Sequence, residues 1–366
     1  MPQYRIPGCG RAVPACAPGA PALTLGFVRE HRYPWPEASS TGVGSYPGEA
    51  PDEAMRVIMG ELPDLPHLPE LPARGAGADI IGRAGAVLVD FPIEVRPSGW
   101  RVVQRPGRDM SRASSFLAYD LDALEQHAGG YRGPLKIQVA GPWTLAAAVE
   151  LRSGEKLLAD HGAAADLCAS LAEGVRAHIA DIGRRVPGGE LLVQVDEPSL
   201  PAVLLGEVPT ASGYGRLRAV ERVTVEERLR TLFAAVADSG ALPMVHCCAP
   251  AVPIDLLRRS GARALSLDAA LLTRRSDEQI AVAVEEGVGI FAGVVPSTDA
   301  VLSDPADTVD PVRELWHRIG FAPELLARAV VTTPTCGLAG ASPGHARAAL
   351  AACRAAARVL REEPQR

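Results

Sequence analysis

Several protein classes are excluded by what the sequence lacks. No apolar run reaches the ~18 residues that a membrane-spanning helix needs. Acidic residues outnumber basic ones, 43 to 37, and the formal net charge of −6 leaves no basic surface for nucleic acid or an anionic membrane. Neither a Gly-x-Gly-x-x-Gly sequence nor a Walker-type loop occurs, so a nucleotide site is not indicated.

The number and spacing of the cysteines argue against a secreted disulfide framework. The 366 residues contain an odd number of cysteines, seven, at irregular intervals. A signal peptide is not indicated either, because Pro7, Pro14, Pro18 and Pro21 interrupt the N-terminal sequence. We therefore predict a reduced, cytoplasmic protein with neither a nucleic-acid nor a membrane partner.

The beginning of the chain differs in composition from the rest. Residues 1–40 are rich in proline, glycine and alanine and show no amphipathic period, which predicts a flexible N-terminal tail. Residues 61–72 carry a proline at every third position and are predicted to form an extended loop with polyproline character. Since no internal repeat or clear linker follows, residues 41–366 are predicted to form one domain.

From residue 75 onward, short apolar segments alternate with amphipathic ones, which predicts a parallel sheet with helical crossovers. The predicted strands are 135–140, 191–195, 243–247, 264–267, 290–295 and 330–333, and the predicted helices are 159–185, 224–239, 276–286, 309–319 and 343–361. A strand that ends at Gly44-Ser45 and another near residues 86–91 bring the total to about eight. This predicts an α/β fold with a single (β/α)8 TIM barrel after an irregular Pro/Gly-rich extension. A doubly wound open sheet is the alternative.

Residues that could bind a metal follow the predicted strands. His246 and Cys248 point the same way because side chains alternate along a strand, and Cys247 points the other way. With Cys336 and Asp268, which also follow predicted strands, they form a possible tetrahedral set for a catalytic Zn²⁺. A purely structural interpretation is also open, with buried cysteines and a hydrogen-bonded core histidine.

Five motifs, in order along the chain, resemble those of one protein family. They are Thr41-Gly-Val-Gly-Ser45-Tyr46-Pro47, Ala140-Gly-Pro-Trp-Thr-Leu145, Val195-Asp-Glu-Pro-Ser-Leu200, His246-x-Cys248 with Ser266-Leu-Asp268, and Cys336-Gly-Leu338. The set is similar to the catalytic C-terminal barrel of cobalamin-independent methionine synthase. The resemblance covers only that half of the full-length family members, which have two barrels.

The resemblance implies a TIM-barrel methyltransferase that binds zinc and homocysteine and transfers a methyl group to the thiol sulfur, which forms methionine. Carried over by motif, Gly44 and Ser45 would bind the carboxylate of the amino acid, and Asp196 would bind its ammonium group. Asp268 stands where the family has a glutamate ligand. The implied zinc ligands are His246, Cys248, Asp268 and Cys336.

The sequence also departs from the family pattern. The family's catalytic histidine aligns with Val294, which cannot move a proton, so no catalytic group is assigned. The family's His-Gly-Glu segment, whose glutamate helps to hold the substrate amine, has no direct match, and Asp90 and Glu94 are the candidates. The N-terminal barrel has no counterpart. The methyl donor could be methyl-folate or methylcobalamin, and Val294 favours methylcobalamin, which leaves without protonation and which a corrinoid protein could deliver as a partner.

Other functions are also open at this stage. One is a corrinoid-dependent methyltransferase that acts on another thiol, which would keep the zinc–thiol chemistry. Another is a non-catalytic barrel that binds zinc or a thiol, which the departures at Asp268 and Val294 favour. Uroporphyrinogen decarboxylase is a related barrel that needs no metal, and the His246, Cys248 and Cys336 set argues against it.

Overall fold

The protein folds as a curved parallel sheet with helices packed against it. The computed structural model describes residues 33–365. The strands are β1 (Ile93–Arg96), β2 (Gly99–Val102), β3 (Leu135–Ala140), β4 (Leu191–Asp196), β5 (Leu242–Cys247), β6 (Ala264–Asp268), β7 (Gly289–Val295) and β8 (Val330–Pro334). Within the described range, no helix combines the length and apolarity that crossing a membrane requires.

The α-helices differ widely in length, from one turn to about seven turns. They are α1 (Pro51–Glu61), α2 (Ile80–Val87), α3 (Arg108–His127), α4 (Pro142–Ala148), α5 (His161–Arg185), α6 (Leu200–Leu205), α7 (Arg222–Asp238), α8 (Ile254–Arg259), α9 (Asp277–Glu285), α10 (Pro305–Thr308), α11 (Asp310–Ile319), α12 (Leu326–Ala329) and α13 (Pro343–Glu362). The five predicted helices correspond to α5, α7, α9, α11 and α13 and are confirmed. Helices α1 to α4 and the antiparallel β1–β2 hairpin were not predicted.

The sheet contains the six strands β3 to β8, paired in parallel in chain order. The six predicted strands are confirmed, since no observed end differs from its predicted position by more than a single residue. Every residue of β3 is buried, as expected for a parallel strand that is covered on both faces. The carboxyl ends of all six strands therefore lie at one edge of the sheet.

Two further extended segments pair with the ends of this sheet. The parallel bridges are Ser40–Thr332, Ser45–Glu70 and His67–Lys136. The segment that ends at Gly44-Ser45, predicted as a strand, therefore lies next to β8. The segment around residues 67–70 lies between it and β3.

The strand predicted near residues 86–91 is wrong. Residues 80–87 form α2, which begins at Asp79, because the Asp79 carboxylate accepts hydrogen bonds from the N–H groups of Ile81 and Gly82. A short apolar run of this kind fits a buried helix as well as a strand, so periodicity alone does not separate them. The position beside β3 is occupied instead by the Pro-rich segment.

The Pro-rich segment is extended, as predicted, and packs through a repeat of three residues. Its leucines are at most 1% exposed, namely Leu62, Leu65, Leu68 and Leu71. Leu65 packs in the cluster of Trp35 and Phe291, whereas the other three leucines pack in the larger core cluster, so the segment buries leucines on two sides. The N–H of Leu68 donates to the carbonyl of Lys136 at 2.9 Å, and the N–H of Lys136 donates to that of Pro66 at 3.0 Å. The segment therefore also pairs with the sheet.

The predicted tail, residues 1–40, lies mostly outside the described residues. Its final part, residues 33–40, is described and packs on the sheet. Trp35 is 5% exposed, and its ring meets that of Phe291 on β7 edge to face, with the centroids 5.0 Å apart. The folded domain thus begins before residue 41.

The face of the sheet that carries Trp35 and Phe291 changes in character along the strands. Near the amino ends of the strands, the buried side chains are apolar and form one cluster that includes Leu192, Met244 and Val331. Toward the carboxyl ends, the same face carries the buried polar residues Gln138, Gln194, Asp196 and His246, and the buried Lys136 lies below them, in register with Leu192. Because buried polar groups need partners, this end of the sheet is where a binding site can form.

Candidate functional site

Three of the predicted metal-binding residues meet at the carboxyl edge of the sheet. His246 lies near the end of β5, Cys248 directly follows that strand, and Cys336 lies in the loop after β8. Each offers a ligand atom that lies within 4.8 Å of the other two. The Sγ atoms of Cys248 and Cys336 are 3.2 Å apart, and both cysteines are free thiols. The structure thus brings together one nitrogen and two sulfurs.

Only one of the two ring nitrogens of His246 has a hydrogen-bond partner among the described residues. Its Nδ1 lies 2.9 Å from the Oγ of Ser266 on β6. Its Nε2 is buried and has no hydrogen-bond partner among the described residues. An unpaired polar atom in the interior costs free energy unless a ligand binds it. A histidine whose second nitrogen is fixed by a hydrogen bond is typical of metal sites, so the residues present fit a metal ion.

The two clustered thiols differ in acidity. The contact with Cys248 and the nearby imidazole of His246 lower the pKa of Cys336 to about 4. The contact with Cys336, together with burial, raises the pKa of Cys248. One thiolate, the form that binds metals, is therefore favoured at neutral pH. Cys247 lies outside the cluster, and burial raises its pKa to about 12, so it stays a thiol.

Asp268, the other predicted ligand, stands apart from the three. It ends β6, and its Oδ1 accepts the N–H of Ala270 at 2.9 Å. Burial raises its pKa, and the charges of Cys336 and His246 also act on it, so it lies within electrostatic range. It is not among the residues that place a ligand atom within 4.8 Å of the other members of the cluster.

A cavity of about 360 Å³ opens beside the cluster. This volume is typical of a small-molecule site. Its lining includes every predicted substrate-binding residue together with the three clustered side chains, namely Gly44, Ser45, Asp196, His246, Cys248 and Cys336. The predicted sites for the metal and for the substrate therefore share one space.

Ser45 and the loop that carries Cys336 hold each other in place. The N–H of Leu338 donates to the Ser45 carbonyl at 2.9 Å, and the N–H of Ala339 donates to the Ser45 Oγ at 3.3 Å. Gly337 leaves the room that this packing requires, since a Cβ there would lie 2.1 Å from the Ser45 Oγ. The first and last of the five motifs thus form one packed unit.

Two buried carboxylates line the cavity, and only one of them was predicted. Asp196 is 5% exposed and Glu70 is 6% exposed. Burial raises the pKa of both, and the charge of Glu70 raises that of Asp196 further. The sequence candidates Asp90 and Glu94 do not line this cavity. The sequence feature that could have indicated Glu70 is the leucine repeat of the Pro-rich segment, because burial of these leucines places the segment beside β3.

One carboxylate joins two of the motifs. Glu197 is fully buried and accepts the N–H of Trp143 at 3.0 Å and the N–H and hydroxyl of Thr144, each at 2.8 Å. A Cβ on Gly141 would lie 2.3 Å from the Glu197 Oε1, so glycine is required there. Despite these hydrogen bonds, burial raises the pKa of Glu197 to about 7. Glu197 thereby fixes the start of α4 against the strand that carries Asp196.

Comparison with known proteins yields one family and several similar folds. Residues 38–359 match the family described as the catalytic domain of cobalamin-independent synthase. A B12-independent methionine synthase from Shewanella sp. W3-18-1, solved with selenomethionine, aligns with a TM-score of 0.58 and 12% identity over 89% of this chain and 98% of that chain.

Two other solved structures are less similar. GH5_18 from Streptomyces cattleya, in complex with GlcNAc, has a TM-score of 0.43 and 13% identity over 90% of this chain and 82% of that chain. A putative lyase/mutase from Burkholderia cenocepacia J2315 has a TM-score of 0.37 and 14% identity over 92% and 87%, respectively. No curated protein matches the sequence.

The Shewanella structure, at 12% identity, shows the fold alone, whereas the family match covers most of the chain. The predicted resemblance is therefore confirmed. The family's description as cobalamin-independent gives no support to the corrinoid donor protein that the sequence suggested. This chain belongs to the family of cobalamin-independent synthase catalytic domains.

Proposed function

We propose that this protein is a zinc-dependent S-methyltransferase that methylates the thiol of homocysteine and so forms methionine. The observation that carries the proposal is the unpaired Nε2 of His246 beside two cysteine sulfurs. This cluster borders a cavity that also contains Ser45 and Asp196. Membership of the family supports an enzyme of the methyltransferase class.

The donor set favours zinc over harder cations. His246, Cys248 and Cys336 would hold the ion, since thiolates and imidazole suit Zn²⁺ better than Mg²⁺ or Ca²⁺. When bound, zinc supplies a Lewis acid that keeps a substrate thiol deprotonated and nucleophilic. Asp268 stays a proposed ligand, and its side chain would have to move toward the cluster, because it places no oxygen within 4.8 Å of all three ligand atoms.

The remaining cavity residues orient the amino-acid end of the substrate. Asp196 and Glu70 would accept hydrogen bonds from the ammonium group, and Gly44 and Ser45 would bind the carboxylate. The thiol then extends toward the cysteines, because both ends lie in the same cavity. A bond forms between sulfur and methyl as the bond between methyl and donor breaks, so alignment of the three atoms is the main task of the site.

The substitution Gly337→Ala tests the role of Ser45. The added Cβ would lie 2.1 Å from the Ser45 Oγ and must displace it, so homocysteine binding should weaken by roughly tenfold. Calorimetric titration of the metal-loaded protein measures this. Gly340→Ala is the matched control, because its Cβ would meet no atom within 4 Å. Equal affinities in the two variants would contradict the assignment of Ser45.

The sheet, in this proposal, closes into the predicted (β/α)8 barrel. Six strands are paired in chain order, and the three parallel bridges connect β8 to the segment at residue 40, that segment to residue 70, and residue 67 to β3. Six strands and two paired segments would occupy the eight strand positions of a TIM barrel. The cavity would then lie at the carboxyl end of the barrel, where active sites of this fold form.

The donor compatible with a cobalamin-independent family is methyl-folate. Its leaving nitrogen needs a proton. Val294, at the end of β7, is aliphatic and cannot supply one. In this proposal water provides that proton.

The test is an assay of the purified, zinc-loaded protein with homocysteine and two donors in parallel, methyl-folate and methylcobalamin. Methionine formed from methyl-folate, with zinc bound stoichiometrically, would support the proposal. Product from methylcobalamin alone would refute the choice of donor. One tightly held zinc and no product from either donor would overturn the methyltransferase and favour a non-catalytic zinc-binding barrel.

A further inference from the structure

A buried lysine lies next to the cavity and has no role in the reaction as described so far. Lys136, on β3, is 0% exposed. Its Nζ donates to the Val43 carbonyl at 2.8 Å and to the Gln138 Oε1 at 3.2 Å. A buried cation whose direct acceptors are both neutral costs free energy unless nearby charges offset it.

The offsetting charges are the two carboxylates of the cavity. Burial lowers the pKa of Lys136 to about 8, while the charges of Asp196 and Glu70 act to raise it. Glu70 has a second cation, since the Arg83 Nε lies 3.3 Å from its Oε1. Lys136 is therefore part of the electrostatics of the cavity as well as of its hydrogen bonding.

The hydrogen bonds of Lys136 lead directly to the turn at Gly44-Ser45. Val43, whose carbonyl it holds, is the preceding residue and lines the cavity. The other acceptor, Gln138, packs against Gly44, where a Cβ would lie 2.8 Å from the Gln138 Cγ. Gln194 Nε2 also donates to the Val43 carbonyl, at 2.8 Å. The turn is thus supported from below by one ammonium group and two amides.

We propose that Lys136 is a positioning residue for the carboxylate end of the substrate, because it fixes the Gly44-Ser45 turn and places a positive charge beneath it. This inference rests on the proposed function, in which that turn binds the carboxylate. Removal of Lys136 should weaken the binding of a thiol that carries a carboxylate. A thiol of the same length that lacks the carboxylate should bind nearly as before.

The experiment compares homocysteine with 3-aminopropane-1-thiol, its counterpart without the carboxylate, by calorimetric titration of zinc-loaded protein. Lys136→Met should weaken homocysteine binding by roughly tenfold or more and change the binding of 3-aminopropane-1-thiol by less than about threefold. Zinc content should stay at the wild-type level. Lys156→Met is the matched control, since Lys156 is the only other lysine and does not line the cavity.

Lys136→Gln provides a second variant in case the methionine variant does not fold; it removes the charge and shortens the side chain by one atom but keeps a polar N–H group on the side of Val43. It should show the same selectivity for homocysteine to a smaller extent. Unchanged homocysteine affinity, or equal weakening of both thiols at full zinc content, would overturn the inference alone. Failure of the wild-type protein to bind either thiol would overturn the proposed function and this inference with it.

Discussion

Replacement of Cys336 or Cys248 by serine is expected to abolish metal binding and methyl transfer together. In the proposed site each cysteine would supply one of the two soft ligands, and the three candidate ligand atoms lie within 4.8 Å of one another. Loss of a direct ligand should lower metal affinity by more than about 100-fold, which exceeds the usual effect of losing an outer-shell partner. Elemental analysis of the purified variants and a single-turnover assay measure the two losses.

Cys247→Ala is the matched control for these variants. Cys247 is adjacent in sequence to Cys248 and fully buried, but it lies outside the cluster. This variant should keep full zinc content and activity, with only the modest loss of stability that a small cavity causes. Full zinc content in the Cys336→Ser or Cys248→Ser variant would show that the corresponding sulfur is not a ligand.

The second large effect is expected at Glu197, where glutamine should destabilise the fold by about 3 kcal/mol at acidic pH, below the interval in which this carboxyl group titrates. The carboxylate accepts three hydrogen bonds, from the N–H of Trp143 and from the N–H and hydroxyl of Thr144. A glutamine amide would direct its own N–H groups at these donors and leave at least one of them unpaired. Urea unfolding of the wild type and the variant measures the difference in the free energy of unfolding.

The same pair of proteins should differ in pH dependence. Burial raises the pKa of Glu197 from its ordinary value of 4.5 to about 7, so the folded state holds this proton more tightly than the unfolded state. As pH rises from about 4.5 to about 7, this group therefore lowers the free energy of unfolding, and its contribution is constant above that range. The difference in the free energy of unfolding between the wild type and Glu197→Gln should therefore become smaller as pH rises from about 4.5 to about 7.

Glu190→Gln serves as the control, because Glu190 precedes the same strand and is exposed. It should change the free energy of unfolding by no more than about 0.5 kcal/mol. If the wild type and Glu197→Gln unfolded with parallel pH dependence, the raised pKa of Glu197 would be contradicted.

The second two-thirds of the fold was predictable because its elements show clear periodicity. Strands such as Leu135–Ala140 are short apolar runs, and helices such as Pro343–Glu362 are long and amphipathic. The first third was not predictable in the same way. Its helix Ile80–Val87 has only eight residues, apolar except for Arg83, and so short a run fits a strand as well as a buried helix. Its extended segment at residues 62–71 is interrupted by prolines that exclude a regular strand.

The residues of the candidate site also fall into those that could be predicted from the sequence and those that could not. His246, Cys248 and Cys336 could be grouped because each follows or ends a recognisable strand, and the resemblance added Ser45 and Asp196. Two other residues were missed for physical reasons. Glu70 belongs to a segment whose pairing with the sheet depends on its leucines. Lys136 lies in a predicted strand, and nothing in a strand sequence shows that its ammonium reaches the Val43 carbonyl.

The Pro-rich segment has a further mechanical consequence. Proline has no N–H to donate, and Leu68 and Glu70 donate to opposite neighbours, to Lys136 at 2.9 Å and to Gly44 at 3.1 Å. Burial of the leucine side chains, more than a continuous ladder of backbone hydrogen bonds, therefore holds this segment against the sheet. Glu70 itself is held through both backbone groups, because the Tyr46 N–H also donates to its carbonyl at 2.8 Å, so a molecule in the cavity meets this carboxylate at a fixed backbone position.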